Sequence, residues 1–126
     1  RQTAKSHAPQ WLFRILEVTA GYLRQVNTMS NSHKQLHAIV HGQVQGVSFR
    51  YYTIQEARQL GIVGWVRNKP DRTVEVCAEG PTAKLKRLLA FLHRGSPAAH
   101  VTRVEAKWQP ATGQFDRFEV RYSRGS

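Results

Sequence analysis

An α+β domain is expected from the chain: a mostly antiparallel sheet of four to five strands with two helices on one face. Three observations support it. From Gln35 onward, apolar patterns of strand and helix period alternate in the order βαββαβ, and one more strand-like run follows. Both helical stretches carry a single apolar stripe, so each needs a sheet to lie on. The chain has 126 residues, 40% apolar and 21% charged. That is enough for one ordinary core and too little for two full domains.

The elements follow in order. Leu36-His37-Ala38-Ile39-Val40 reads as the first strand. The loop from Gly42 to Ser48 leads into a helix from Phe49 to Leu60, with Ser48 expected as N-cap and Gly61 as the stop. Its inner stripe is Phe49, Thr53, Ala57 and Leu60. Ile62 to Arg67 is a second strand, Asn68-Lys69-Pro70-Asp71-Arg72 is turn chemistry, and Val74 to Ala78 is a third strand closing a hairpin. Pro81 to His93 is a second helix buried through Leu85, Leu88, Leu89 and Leu92, with Lys84, Lys86 and Arg87 outside. Val101 to Trp108 and Phe118 to Tyr122 complete the sheet. This order is the split βαβ arrangement of ferredoxin-like folds. The second strand is expected to run antiparallel to the first, which leaves the position of Asn68 relative to the first loop open.

Residues 1–30 differ in character from the domain at 31–126. Trp11, Ile15, Val18, Tyr22 and Val26 recur at spacings of three and four, so they share a helix face. Arg14, Glu17 and Arg24 interrupt the run, which makes a poor signal-peptide core. The segment is Arg-bearing and acid-poor, faintly like a transit peptide. The preferred expectation is an extension, helical or partly disordered, that docks or is an upstream addition. The only methionine, Met29, is a candidate natural start.

Lysine and arginine total 19 against 8 acids, a formal net charge of +11. Nucleic acid, an anionic membrane or a small phosphorylated substrate all suit such a chain, and charge alone does not choose among them. No apolar stretch approaches the length of a membrane span. A single cysteine, Cys77, rules out an internal disulfide and any cysteine-based zinc cluster. Its neighbourhood, Val74-Glu75-Val76-Cys77-Ala78, suits a core filler rather than a nucleophile. A reduced, cytoplasmic setting is the plain inference.

Chemistry concentrates in Gly42-Gln43-Val44-Gln45-Gly46-Val47-Ser48-Phe49-Arg50. A strand enters a tight loop that opens a helix. Gly46 lets the backbone turn and an anion approach closely. Successive N–H groups in such a turn can converge as a nest, and the helix start adds free N–H groups and a favourable dipole. Arg50, in the first helical turn, offers paired donors that match two phosphate oxygens. The segment lacks the Gly-Lys-Ser/Thr ending of a P-loop. Taken alone, it fits a phosphate cradle and a plain glycine turn followed by a surface arginine equally well. A second segment, Gly64-Trp65-Val66-Arg67-Asn68, ends on an asparagine that by itself reads as a turn former.

Together the two segments resemble the signature motifs of the acylphosphatase family. The first is similar in Gly42-x-Val44-Gln45-Gly46-Val47-x-Phe49-Arg50. The second is similar in Gly64-Trp65-Val66-x-Asn68, followed by Asp71 and Val74-Glu75. The resemblance runs through Ala78-Glu79-Gly80 and the closing strand, roughly residues 34–122, and two motifs in this order and spacing are highly specific. It implies an enzyme that hydrolyses the carboxyl-phosphate bond of acyl phosphates to a carboxylate and inorganic phosphate. By similarity, Arg50 binds the phosphoryl group with backbone N–H groups of Gln45, Gly46, Val47, Ser48, Phe49 and Arg50 itself, and Asn68 orients the attacking water. No metal or cofactor is implied, and the partner is a small acyl phosphate. The family commonly has glycine after the turn aspartate, where this chain has Arg72. Ser48 falls at a variable position.

Other polar and aromatic residues have plainer readings. His37 and His41 lie on one side of a strand, but no third metal ligand is evident, so packing or exposure is expected. Trp65 and Trp108 are expected in the sheet core, and their exposure on an open sheet face would instead suggest base stacking. A nucleic-acid module on the same fold is the competing function. Against it, the third strand Val74–Glu79 is acidic and ring-free where RNA-recognition sheets carry stacking aromatics. A family domain detached from a larger enzyme, handling carbamoyl phosphate or regulating, is a third reading. The expectation adopted is a monomeric hydrolase with neither nucleic-acid nor membrane partners.

Overall fold

The computed structural model describes residues 33–122, so the expectations for residues 1–30 lie outside the described residues. The elements are β1 (His33–Gln43), α1 (Phe49–Gln59), β2 (Val63–Asn68), β3 (Val74–Pro81), α2 (Thr82–Arg94), β4 (His100–Pro110) and β5 (Phe118–Val120). The sheet order is β4-β1-β3-β2-β5. All neighbours are antiparallel except β2 and β5, which pair in parallel. The α+β architecture read from the sequence is the one observed.

One expectation is reversed. β1 and β2 each pair antiparallel with β3, so they run parallel to one another. The crossover through α1 returns the chain to its starting edge before β2 begins, and β3 then fits between the two. Parallel strands bring their C-terminal ends to the same edge of the sheet. The loop after β1 and the residue ending β2 are therefore neighbours.

Side-chain alternation decides which face the helices cover. Leu36, Ala38 and Val40 of β1 stand in register with Ala78, Val76 and Val74 of β3, and all six are fully buried. Leu85, Leu88 and Leu92 of α2, with Phe49 and Ala57 of α1, close over them. Each large apolar side chain buried this way contributes about 1.5–3 kcal/mol. Leu89, expected in the core, only packs against its margin, and Phe91 is buried instead. Phe91 lies on the flank of α2 that meets α1, where its ring centroid is 6.2 Å from that of Phe49. Helix α1 ends as expected. Gly61 has φ +72°, its N–H donates to Arg58 O at 3.1 Å, and the N–H of Ile62 donates to Ala57 O at 2.9 Å. This is the Schellman pattern, which needs a residue at ease in the left-handed region.

Neither Trp65 nor Trp108 is a core residue. Trp65 projects to the face turned away from the helices and is half-buried, with Arg121 Cζ 4.4 Å and Arg67 Cζ 5.7 Å from its ring centroid. Trp108 pairs with Leu36 on the edge strand β4 and is 40% exposed. A tryptophan on an outer strand has a neighbouring strand on one side only, so the helices leave part of it in solvent. His37 and His41 engage carboxylates on adjacent strands: His37 Nε2 donates to Glu75 Oε2 at 2.6 Å, and His41 Nε2 to Glu105 Oε2 at 2.8 Å. Cys77 alternates to the same helix-free face. It is buried, and burial, followed by the charge of Glu79, pushes its thiol up to about 11, which suits a filler and not a nucleophile.

The connection from β4 to β5 crosses from one sheet edge to the other, and Glu79 holds it. Its carboxylate accepts from Gln35 Nε2 (2.7 Å), Thr112 N (2.9 Å), Thr112 Oγ1 (2.8 Å) and Gly113 N (3.0 Å). Burial works to raise the Glu79 pKa, but these four donors hold it below its ordinary 4.5. A carboxylate with a depressed folded pKa stabilises the fold above its unfolded value, and that stability is lost as pH falls through the folded value. Glu79→Gln is expected to cost about 2 kcal/mol at pH 7. The deficit relative to wild type should shrink as pH falls below 4.5. Urea midpoints at pH 7 and across the acid range check this, and a constant deficit would contradict it.

In the β2–β3 turn, Asp71 Oδ1 accepts from Thr73 N (3.1 Å) and Thr73 Oγ1 (2.6 Å), and the Thr73 hydroxyl chiefly holds its pKa low. Arg72 takes φ +76° there, a left-handed position otherwise favoured by glycine.

Candidate active site

The loop after β1 is built to hold its backbone N–H groups outward. The register of β1 against β4 shifts between His41 and Gly42, which turns the chain off the sheet. Val44 is fully buried and Val47 packs against the core, so the loop is pinned from below at two points. Phe49 continues the anchoring from the first turn of α1 and is 1% exposed. Between these anchors, Gly46 has φ +75° and Ser48 φ +63°. Left-handed residues alternating with ordinary ones aim successive N–H groups to one side as a nest. Among the described residues, no backbone N–H from Gln45 to Ser48 donates to another backbone carbonyl. The N–H groups of Phe49 and Arg50 open a helix and have no intrahelical acceptor.

Ser48 occupies the N-cap position, as expected, but does not cap with its side chain. An ordinary serine cap takes β-region angles, which bring its hydroxyl over the N–H groups of the first turn. In the left-handed region the hydroxyl is not placed to do so. The helix start stays open to an outside acceptor.

Arg50 follows in the first turn of α1, partly buried. Among the described residues it has no carboxylate within ion-pair distance, and its Cζ lies 5.8 Å from the centroid of the Tyr122 ring. Among the described residues the acids lie elsewhere: Glu75, Glu79 and Glu105 face away from the helices, Asp71 is in the β2–β3 turn, Glu56 is further along α1, and Asp116 and Glu119 lie before and in β5. No acid occurs in the first turn of α1 to offset it.

Asn68 ends β2 opposite Val74 and, with Gly46, Ser48, Phe49 and Arg50, lines one cavity of about 470 Å³. Its position follows from the parallel run of β1 and β2, and the side chain of Gln45 locks that arrangement. Gln45 Nε2 donates to Lys69 O and to Thr73 O, both at 2.8 Å, and so ties the cradle loop to both arms of the β2–β3 turn. From the other side, the buried Ser96 donates through Oγ to Val47 O at 2.7 Å. Sequence reasoning gave Gln45 a role only through its backbone N–H and gave Ser96 none. Gln45 stands inside a motif, but nothing local says where its amide reaches, and Ser96-Pro97 reads as ordinary turn chemistry. Gln45→Ala removes both ties. It is expected to cost about 1–2 kcal/mol of stability. Catalytic efficiency should fall about tenfold through loosened geometry, read from urea denaturation and from kcat/KM on one acyl phosphate.

The strand β5 supplies the remaining wall. It is fixed by Arg58 Nε donating to Phe118 O (3.0 Å), Gly64 N to Arg117 O (2.9 Å) and Arg121 N to Val66 O (2.8 Å). Parallel pairing of Val120 with Val66 brings Val120 and Tyr122 to the cavity that Asn68 lines. Tyr51 and Ile54 of α1 complete the lining. None of these four was singled out from the sequence as a site residue; Tyr51 and Ile54 follow Arg50 on α1, and only the β2–β5 pairing unites Val120 and Tyr122 with the cradle. Among the described residues, the lining contains no histidine, cysteine or carboxylate. No helix of the described residues is long and apolar enough to cross a membrane.

Comparison with known proteins bears on this geometry. The acylphosphatase family model matches residues 36–120. An acylphosphatase of Thermococcus kodakarensis is 49% identical over 84 residues, 67% of this chain and 91% of the relative. One from Syntrophobacter fumaroxidans is 43% identical over 91 residues, covering 72% of this chain and 94% of the relative. Among solved structures, acylphosphatase from Bacillus subtilis superposes with a TM-score of 0.69 at 37% identity, over 71% of this chain and 99% of that one. Matched over nearly the whole length of such relatives, the chain belongs to the acylphosphatase family, enzymes that hydrolyse acyl phosphates.

Proposed function

We propose that the Gln45–Arg50 cradle binds the phosphoryl group of a small acyl phosphate and that Asn68 orients the water that attacks it. The observation that carries this is the shared cavity: Gly46, Ser48 and Phe49 of the uncapped loop, Arg50, which has no ion pair among the described residues, and Asn68 all line one space. Phosphoryl transfer asks for positioning and charge stabilisation more than covalent help. The amides of Gln45, Gly46, Val47, Ser48 and Phe49 and the guanidinium of Arg50 surround the phosphoryl oxygens and meet the charge that develops on them. Asn68 holds the water in line with the bond to the carboxylate. The water oxygen bonds to phosphorus as the bond from phosphorus to the acyl oxygen breaks. The carboxylate leaves with the electron pair, and the water proton passes to a phosphoryl oxygen.

A carboxylate is a good leaving group, so no strong acid is needed beside it. The test is turnover of benzoyl phosphate to benzoate and inorganic phosphate, with and without a chelator. Turnover that is unchanged by the chelator and competitively inhibited by inorganic phosphate is the expected result. Absence of turnover overturns the reading, and loss of turnover on chelation overturns its metal-free form.

A further inference from the structure

The cavity is larger and more varied than a phosphoryl site needs. Its volume is about 470 Å³, within the range of about 300–1,000 Å³ for pockets that take whole small molecules. The cradle, Arg50 and Asn68 account for the polar part of its lining. The rest is Val44, at the floor beneath the loop, with Tyr51, Ile54, Val120 and Tyr122. Tyr51 is 58% and Tyr122 76% exposed, two large rings left in solvent beside a functional site. Exposed apolar surface in such a position marks a contact surface. The Tyr51 ring is also held in place: its hydroxyl accepts from Gln55 Nε2 at 2.9 Å, and its edge meets Tyr52 at a centroid distance of 5.5 Å. Among the described residues, Arg50 alone of the lining is charged.

We propose that Tyr51, Ile54, Val120 and Tyr122 form a subsite for the acyl part of the substrate, which selects acyl phosphates with an aromatic or extended apolar acyl body over small ones. This rests on the reading of the site as an acyl-phosphate hydrolase. With the phosphoryl group fixed at the cradle, the acyl carbon projects along the remaining lining. A flat apolar body there covers the two rings, Ile54 and Val120 from water. An acetyl group is too short to reach most of that surface.

The experiment compares kcat/KM on benzoyl phosphate and acetyl phosphate for the wild type, Tyr122→Ala, Tyr122→Phe and Val120→Ser. Using the ratio between substrates cancels their differing intrinsic reactivity. In Tyr122→Ala the benzoyl-to-acetyl ratio is expected to fall about tenfold, because one ring's share of apolar contact is lost. Tyr122→Phe should keep the ratio, and Val120→Ser should lower it in the same direction from an independent strand position. Truncation at Tyr122 removes no buried contact, so the variant is expected to fold. Equal loss on both substrates in Tyr122→Ala would mean that Tyr122 acts through Arg50, and it would overturn the subsite. An unchanged ratio in both truncations would do the same while leaving the hydrolase reading intact. A wild type that turns over neither substrate removes the hydrolase reading and the subsite with it.

Discussion

Arg50→Ala is expected to lower kcat/KM on benzoyl phosphate by about a thousandfold, the scale of removing a preorganised charged donor from a developing oxyanion. Inorganic phosphate inhibition should weaken in parallel, because Arg50 would contact the same oxygens in the ground state. Stability should not fall. Arg50 has no ion pair among the described residues, so its removal orphans no partner. It also stands in the first turn of a helix that has no acid there, where the helix dipole disfavours a cation. The variant is therefore expected to unfold at the same or slightly higher urea concentration. A large loss of activity without loss of stability separates a binding role from a structural one. Arg50→Lys should recover only part of the activity, since it restores charge but not the paired donors. Full activity in Arg50→Ala would remove the cradle from the mechanism.

The same residues show how function is set against local stability. Ser48 sits left-handed and uncapped, Gly46 gives up the rigidity of a side-chain-bearing residue, and Arg50 opposes the dipole. Each choice runs against the ordinary rule for a helix start, and each leaves an N–H group or a positive charge facing the cavity. The cost is met beneath the loop, by Val44 and Phe49 in the core and by the hydrogen bonds from Gln45 and Ser96. These departures from local consistency cluster at the proposed phosphate cradle, where such exceptions are expected.

Much of this was legible in the chain. Periodicity located every element of the domain, because Leu36, Ala38 and Val40 alternate and Leu85, Leu88 and Leu92 fall on one helical stripe. Gly61 marked the end of α1 because a Schellman stop has few other solutions. The cradle was visible as loop chemistry and became specific only when paired with Gly64–Asn68. What stayed hidden was long-range. The direction of β2 depends on β3 entering between it and β1, and no local pattern encodes that insertion. Alternation from Phe118 to Tyr122 marked β5 as a strand, but not its parallel pairing with β2, which brings Val120 and Tyr122 to the site. Trp65 and Trp108 are apolar in composition, but strand position, and not residue type, decided their exposure.

Asn68→Ala separates the two halves of the proposed mechanism. If the carboxamide orients water and the cradle binds phosphate, kcat should fall about a hundredfold or more, the scale of a lost positioning contact. The inhibition constant for inorganic phosphate should stay within about twofold, since the cradle that binds it is untouched. Loss in kcat without loss in phosphate affinity identifies an interaction made on the way to the transition state and not in the bound ground state. Gln45→Ala gives the contrast. It leaves the Asn68 side chain in place but frees the turn that carries it, and so should move KM and kcat together. Asn68→Asp sharpens the test further: it keeps the size of the side chain but sets a negative charge beside the phosphoryl group, so phosphate binding should weaken where the alanine spares it. Parallel loss of phosphate affinity and turnover in Asn68→Ala would make the residue part of the cradle, and undiminished kcat would remove it from the reaction.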